Sequence, residues 1–164
     1  MNSQAASRCL VFLNVTFLSL VITCGAHAQR LQWSKSLTAD ETRCLTELLH
    51  ASHWTGAPSE EVHELITAAR VSHAHLDGDG RTDYVYLFDD IGWCGSAGCA
   101  LVIGEAPKHG ECHLLYDGYG WYTFTVLRPR DKGYRRLYLP CEARFNGSQY
   151  QQLRAECPNV DVQR

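Results

Sequence analysis

Apolar residues along this chain fall into three regimes. From Cys9 to Ile22 they run almost unbroken, with only Asn14, Thr16 and Ser19 intervening. From Thr38 to about Arg70 they recur every three or four positions, the period of an α-helix. Beyond that the period drops to two and turn residues return about every ten positions, which predicts short strands in an antiparallel meander. The middle regime predicts a first helix over 38–52, starting at Thr38-Ala39-Asp40-Glu41 with acids in its first turn and with Cys44, Leu45, Leu48 and Leu49 on one stripe. After Gly56-Ala57-Pro58, Ser59 is positioned to cap a second helix that ends near Arg70, with Val62, Leu65 and Ile66 opposite Glu60, Glu61 and Glu64. Strands are expected at 83–88, 100–103, 112–116, 121–127, 134–139 and 149–153. Turns are expected at 104–110, 117–120, 130–133 and Asn146-Gly147, the last being the strongest hairpin signal. The expected fold class is α+β: two N-terminal helices packed on one face of a five- or six-stranded antiparallel meander sheet.

The first regime is an export signal. Met1 to Arg8 carries one positive charge and no acid, and the apolar run that follows is too short to span a bilayer comfortably. It closes on Ala26-His27-Ala28, small residues where a signal peptidase reads, so residues 1–28 form the expected signal peptide and 29–164 a single domain of 136 residues. Val21-Ile22-Thr23-Cys24 loosely matches a lipoprotein box, but Thr23 fits it poorly, so a lipid anchor at Cys24 is the weaker alternative. Loss of the leader removes Arg8 and takes the formal net charge from −3 to −4, a balance that argues against nucleic acid as a partner. The expected destination is the periplasm or the cell exterior.

Six cysteines remain beyond the leader, an even number that reads as three disulfides in an oxidising compartment. Cys94-Gly95-Ser96-Ala97-Gly98-Cys99 invites a local bridge, because two glycines and small residues let the loop fold back. Cys141 with Cys157 and Cys44 with Cys112 complete the expected set.

The sharpest local pattern is His75-Leu76-Asp77-Gly78-Asp79-Gly80-Arg81-Thr82-Asp83, leading into the strand that ends at Phe88. It resembles the calcium loops of dockerin and FG-GAP repeats, in which oxygens at loop positions 1, 3, 5 and 9 and a carbonyl at 7 surround the ion. The resemblance places Asp77, Asp79 and Asp83 and the carbonyl of Arg81 as ligands and makes calcium a structural cofactor. Two departures stand against it: position 1 is His75, a poor ligand for a hard cation, and position 12 is Tyr86 rather than a bidentate glutamate. The alternative is an ion-free loop in which Asp77 and Asp79 hydrogen-bond to backbone amides. The same loop followed by the stretch from Cys94 to Cys99 is similar to an arrangement in small exported bacterial proteins of largely uncharacterised function. That likeness covers residues 75–99 and implies a stapled sheet rather than an activity.

Other chemistry is thinner. His73 and His75 alternate and point one way on an extended segment, as a zinc or copper site could use, but the spacing matches no closed ligand set. Ser96 lacks the glycine two residues before it that an esterase elbow requires. Four residues separate Cys94 from Cys99, which favours a structural bridge over a redox pair. Aromatic residues crowd the sheet region and are expected in part on the face away from the helices, as plain surface or as an interaction patch. Charge is also segregated: residues 77–90 hold five acids and one base, whereas 128–144 hold six bases and two acids.

With no catalytic group assembled, the expected function is that of a non-enzymatic, exported protein-binding module, such as an inhibitor or immunity protein acting on a cell-envelope enzyme. Its contact region is expected on loops 89–98 and 117–121, with Trp93, Ser96, Tyr119 and Trp121 at the surface. A calcium-binding structural module and an unrecognised hydrolase are the alternatives.

Overall fold

The computed structural model describes residues 29–52, 58–96, 98–107, 110–139 and 141–153. The expected signal peptide, its cleavage site and the lipoprotein box lie outside these residues. Strand β1 (Gln29–Arg30) is followed by α1 (Ala39–Ala51), α2 (Ser59–Ala68), β2 (Ala69–Ala74), β3 (Asp83–Phe88), β4 (Cys94–Gly95), β5 (Gly98–Glu105), β6 (His113–Gly120), β7 (Thr125–Asp131), β8 (Tyr134–Tyr138), β9 (Glu142–Phe145) and β10 (Tyr150–Gln152). The class is α+β with antiparallel strand pairing, as expected, but the helices are not N-terminal, since β1 precedes them, and the strands form two sheets rather than one meander.

Helix α1 begins where its local chemistry dictates. The Thr38 hydroxyl accepts from the Glu41 amide at 3.3 Å and the Glu41 carboxylate accepts from the Thr38 amide at 2.6 Å, a complete capping box. Helix α2 departs from expectation: Ser59 is its first residue, Pro58 takes the cap position, and no side chain caps it. It stops at Ala68, so Arg70 belongs to β2, an edge strand the periodicity did not predict.

One sheet runs β2-β3-β5, with β4 and β6 also paired to β5, and the other runs β1-β7-β8-β9-β10. Two cores result. Leu45, Leu48, Leu49 and Leu65 of the helices pack with Val71, Tyr86, Phe88, Ala100 and Val102 on one face of the first sheet. Val85, Leu87, Leu101 and Ile103, on its other face, pack against Phe124, Val126, Leu137, Phe145 and Tyr150 from the second sheet side. The face away from the helices is therefore neither plain surface nor an interaction patch, because a second sheet covers it. β5 is buried at every position, as a strand buried on both faces must be.

One expected turn, 117–120, proves to be strand, and the connection expected at 104–110 begins only after Glu105, where β5 ends. Gly118 and Gly120 lie in β6, where a Cβ on Gly118 would come within 2.6 Å of the Tyr116 hydroxyl and one on Gly120 within 2.7 Å of Leu101 Cδ2. These glycines are required by close neighbours rather than by a reversal of the chain. Gly104 likewise lies in β5 beneath Leu48, and its missing Cβ lets α1 settle onto the sheet. The other two turns fall where expected: Lys132-Gly133 joins β7 to β8, both with positive φ, and Asn146-Gly147 opens the turn between β9 and β10.

Cys44–Cys112 ties α1 to the start of β6, and Cys94–Cys99 bridges the β4–β5 hairpin. Cys141 is also disulfide-bonded, and its expected partner Cys157 lies outside the described residues. Disulfides suit the oxidising environment of an extracellular or periplasmic protein. No helix among the described residues is long and apolar enough to cross a membrane.

Candidate functional site

The 77–83 loop joins β2 to β3 at one end of the first sheet. The Asp77 carboxylate accepts from the Asp79 amide at 2.9 Å, and Asp79 accepts from the Arg81 amide and from Arg81 Nε, each at 2.8 Å. The Arg81 guanidinium and amide hold the Asp79 carboxyl down at about 2. Gly78 and Gly80 supply the positive φ values of the turn. Asp83 is buried, with one oxygen accepting from Leu76 N at 2.8 Å and the other from Ala106 N at 3.2 Å. Burial pushes its carboxyl up to about 6 despite those two amides. The Arg81 carbonyl meets His75 Nδ1 at 2.7 Å. The loop is anchored to the second sheet through Arg135 N to Leu76 O at 2.8 Å.

Of the four expected calcium ligands, the structure brings Asp77 and Asp79 together and joins them with Glu105 from the end of β5, one oxygen of each lying within 4.8 Å of the others. Asp83 and the Arg81 carbonyl are turned to the partners just given. Glu105 stands far from the loop in sequence, and no local pattern marks it. His73, the other histidine of the alternating pair, meets Glu41 of α1 at 2.7 Å.

A second constellation lies on the loops between β3 and β5 and between β6 and β7. Trp93 N bonds Asp90 O at 2.9 Å, and Ala100 N bonds Trp93 O at 2.8 Å. The Cys94–Cys99 disulfide closes the hairpin beyond. At the other end of the turn, Asp89 accepts from both Arg70 of β2 and the Tyr122 hydroxyl. Burial opposes ionisation of Asp89, but these two donors outweigh it and hold the carboxyl below the ordinary range. Arg70 lies 5.6 Å over the Tyr122 ring, and Trp33 meets that ring edge-on at 5.8 Å. Phe124 N bonds Trp121 O at 2.9 Å, closing the neighbouring turn.

On this tied framework apolar side chains stand in water. Ile91 is 93% exposed, and Tyr119, Trp121 and Tyr122 are 40–49% exposed. Trp93 and Tyr119 line one cleft of about 260 Å³ with Gly92, Cys94, Gly95 and Ala100. The expected contact residues Trp93 and Tyr119 are thus brought together, Trp121 stands at the following turn, and Ser96 is exposed at the hairpin tip. Ile91, between Asp90 and Gly92, went unmarked in the sequence; its signal is a lone large apolar residue inside a polar, glycine-bearing turn.

Several bases of the 128–144 segment are engaged within the fold, mostly by acids of the same segment. Arg130 donates to the Asp77 carbonyl, Arg136 pairs with Asp131 and Glu142, and Arg144 pairs with Glu142. A further cleft, of about 710 Å³, is lined by Glu105, His113, Lys132, Tyr134 and Ser148 among others. Its Ser148 hydroxyl is bonded to Asn146 at 3.0 Å, and Glu105 accepts from Tyr134 at 3.0 Å. No protein-family model matches the chain, and neither a curated protein nor a solved structure is detectably similar to it.

Proposed function

We propose that this chain is a non-enzymatic, exported protein-binding module, periplasmic or secreted, that acts on an envelope enzyme as an inhibitor or immunity protein does. The observation that supports the reading is the stapled face: exposed Ile91 beside half-buried Trp93 on the loop between β3 and β5, Tyr119 at the end of β6, and Trp121 and Tyr122 on the turn that follows, with the backbone pinned by a disulfide, two turn hydrogen bonds and the Arg70–Asp89–Tyr122 clamp. Exposed apolar surface costs solubility and marks interaction sites, and tryptophan and tyrosine are the side chains that dominate binding energy at interfaces. A pinned backbone adds to affinity because little order remains to be imposed on binding.

The test is retention of envelope proteins by the immobilised mature domain, compared with a Tyr119→Ser/Trp121→Ser variant of equal melting temperature. The reading expects a protein retained by the wild type and lost by the variant. Retention that is the same for both sinks it.

A second reading is a calcium-ordered module, supported by the convergence of Asp77, Asp79 and Glu105. A bound cation there displaces the Arg81 guanidinium from Asp79, since both need the same oxygens. The melting temperature then rises with calcium and falls back in chelator, and Asp79→Ala abolishes the rise. An unchanged melting temperature at saturating calcium retires it.

A further inference from the structure

We infer that the turn from Asp90 to Trp93 is an insertion loop: Ile91 enters an apolar pocket in the substrate cleft of a basic enzyme, and Asp90 meets cationic side chains at the pocket's rim. This rests on the reading of the stapled face as a protein-docking surface and goes further by naming the inserted residue and the kind of site that receives it.

Three observations carry it. Ile91 is the most exposed of the large apolar side chains among the described residues, at 93%, although its neighbours on both sides are held in place. Before it, Asp89 is clamped by Arg70 and Tyr122, and the Asp90 carboxylate accepts from the Ile91 amide at 2.6 Å. After it, Trp93 bonds back to Asp90 and onward to Ala100, with Cys94–Cys99 immediately beyond. With its neighbours bonded in this way, the turn presents the isoleucine side chain outward. Such a convex tip with a single apolar apex is complementary to a concave, mostly apolar pocket, the form that substrate clefts take.

Charge narrows the partner further. Residues 89–96 contain two acids and no base. Asp89 is neutralised internally by Arg70, whereas Asp90 is exposed beside Ile91. A partner with a cationic rim gains from Asp90, while an anionic lipid surface is repelled by it. The aromatic side chains at the adjoining turn then form the flanks that exclude water around the inserted residue.

The experiment takes the envelope protein retained by the wild-type domain, identifies it by mass spectrometry, and measures its affinity for the wild type, Ile91→Asp, Asp90→Asn and Tyr119→Ser/Trp121→Ser. All variants are first required to melt as the wild type does. The inference expects an enzyme that loses activity on binding and whose substrate competes with the domain. It also expects Ile91→Asp to weaken affinity by 30-fold or more, and Asp90→Asn to weaken it several-fold and to flatten the salt dependence. An enzyme that binds Ile91→Asp as tightly as the wild type but fails to bind the Tyr119/Trp121 variant overturns the insertion loop and leaves the docking face standing. Retention that no variant changes, or no retained enzyme at all, overturns both. Self-association of the wild type that Ile91→Asp abolishes assigns the loop to a second copy of the chain and overturns the enzyme partner.

Discussion

The 77–83 loop and the stapled aromatic face are both glycine-bearing loops on the same first sheet, yet they spend their side chains in opposite ways. In the 77–83 loop the polar groups turn inward: Asp77 and Asp79 cap backbone amides, Asp79 holds Arg81, and Asp83 accepts two buried amides. On the stapled face the backbone is held by turn hydrogen bonds, by the Asp90 carboxylate on the Ile91 amide and by the disulfide that closes the hairpin, and large apolar side chains are left in solvent. A loop whose side chains are occupied with its own backbone is doing the work of folding. One whose exposed apolar side chains take no part in holding its backbone leaves those side chains available for another molecule.

The difference can be broken from either side. The largest effect is expected from Asp83→Ala, which leaves Leu76 N and Ala106 N buried without their acceptor. At roughly 1–3 kcal/mol for each stranded donor, chemical denaturation at neutral pH should show a loss of about 4 kcal/mol.

Next comes Cys94→Ser with Cys99→Ser, for which closure of so short a loop contributes about 2 kcal/mol in the chain-entropy account. Stability should fall by that amount, and amide exchange should quicken across 89–100 while the 77–83 loop keeps its protection. Uniform loss of protection would show that the face is not an independently pinned unit.

A comparable effect is expected from pH. The Asp83 carboxyl is raised from 3.8 to about 6, so its protonated form favours the fold; that contribution is whole below pH 4 and is lost as pH rises through 6. Asp79, held at about 2, acts in the opposite sense but in a separate window, its contribution being present above pH 4 and lost as pH falls through 2. Denaturation midpoints in the wild type should therefore decline between pH 4.5 and 7, by roughly 2 kcal/mol, and Asp83→Ala should remove that decline. The smallest change is expected from Ile91→Asp. With the side chain in water, stability should stay within about 0.5 kcal/mol of the wild type.

Apart from the Cys44–Cys112 pairing, what was legible in the sequence was local. The capping box of α1, the full extent of β3, the Lys132-Gly133 and Asn146-Gly147 turns and the Cys94–Cys99 bridge are each set by residues a few positions apart. The second sheet was not, although the unbroken apolar stretch from Ala100 to Ile103 carried the signal of a strand covered on both sides. Gly120 misled for a related reason: a glycine needed for a turn and one needed beneath a neighbour read alike, and its neighbour Leu101 belongs to another strand. β2 was absorbed into the tail of α2 because no breaker separates Ala68 from Ala69. Of the contact regions, 89–93 was legible as a loop but 117–120 is strand, and Glu105 joins Asp77 and Asp79 only through the pairing of β3 with β5.

The central claim is that the stapled face, and not the 77–83 loop, meets another protein. A photo-crosslinking side chain placed at Tyr119 and, separately, at His75 in the producing cell tests it directly, since both positions are exposed and one lies at each region. The account predicts a discrete crosslinked protein from Tyr119 and none from His75; a crosslink from His75 alone, or no crosslink from Tyr119, would contradict it.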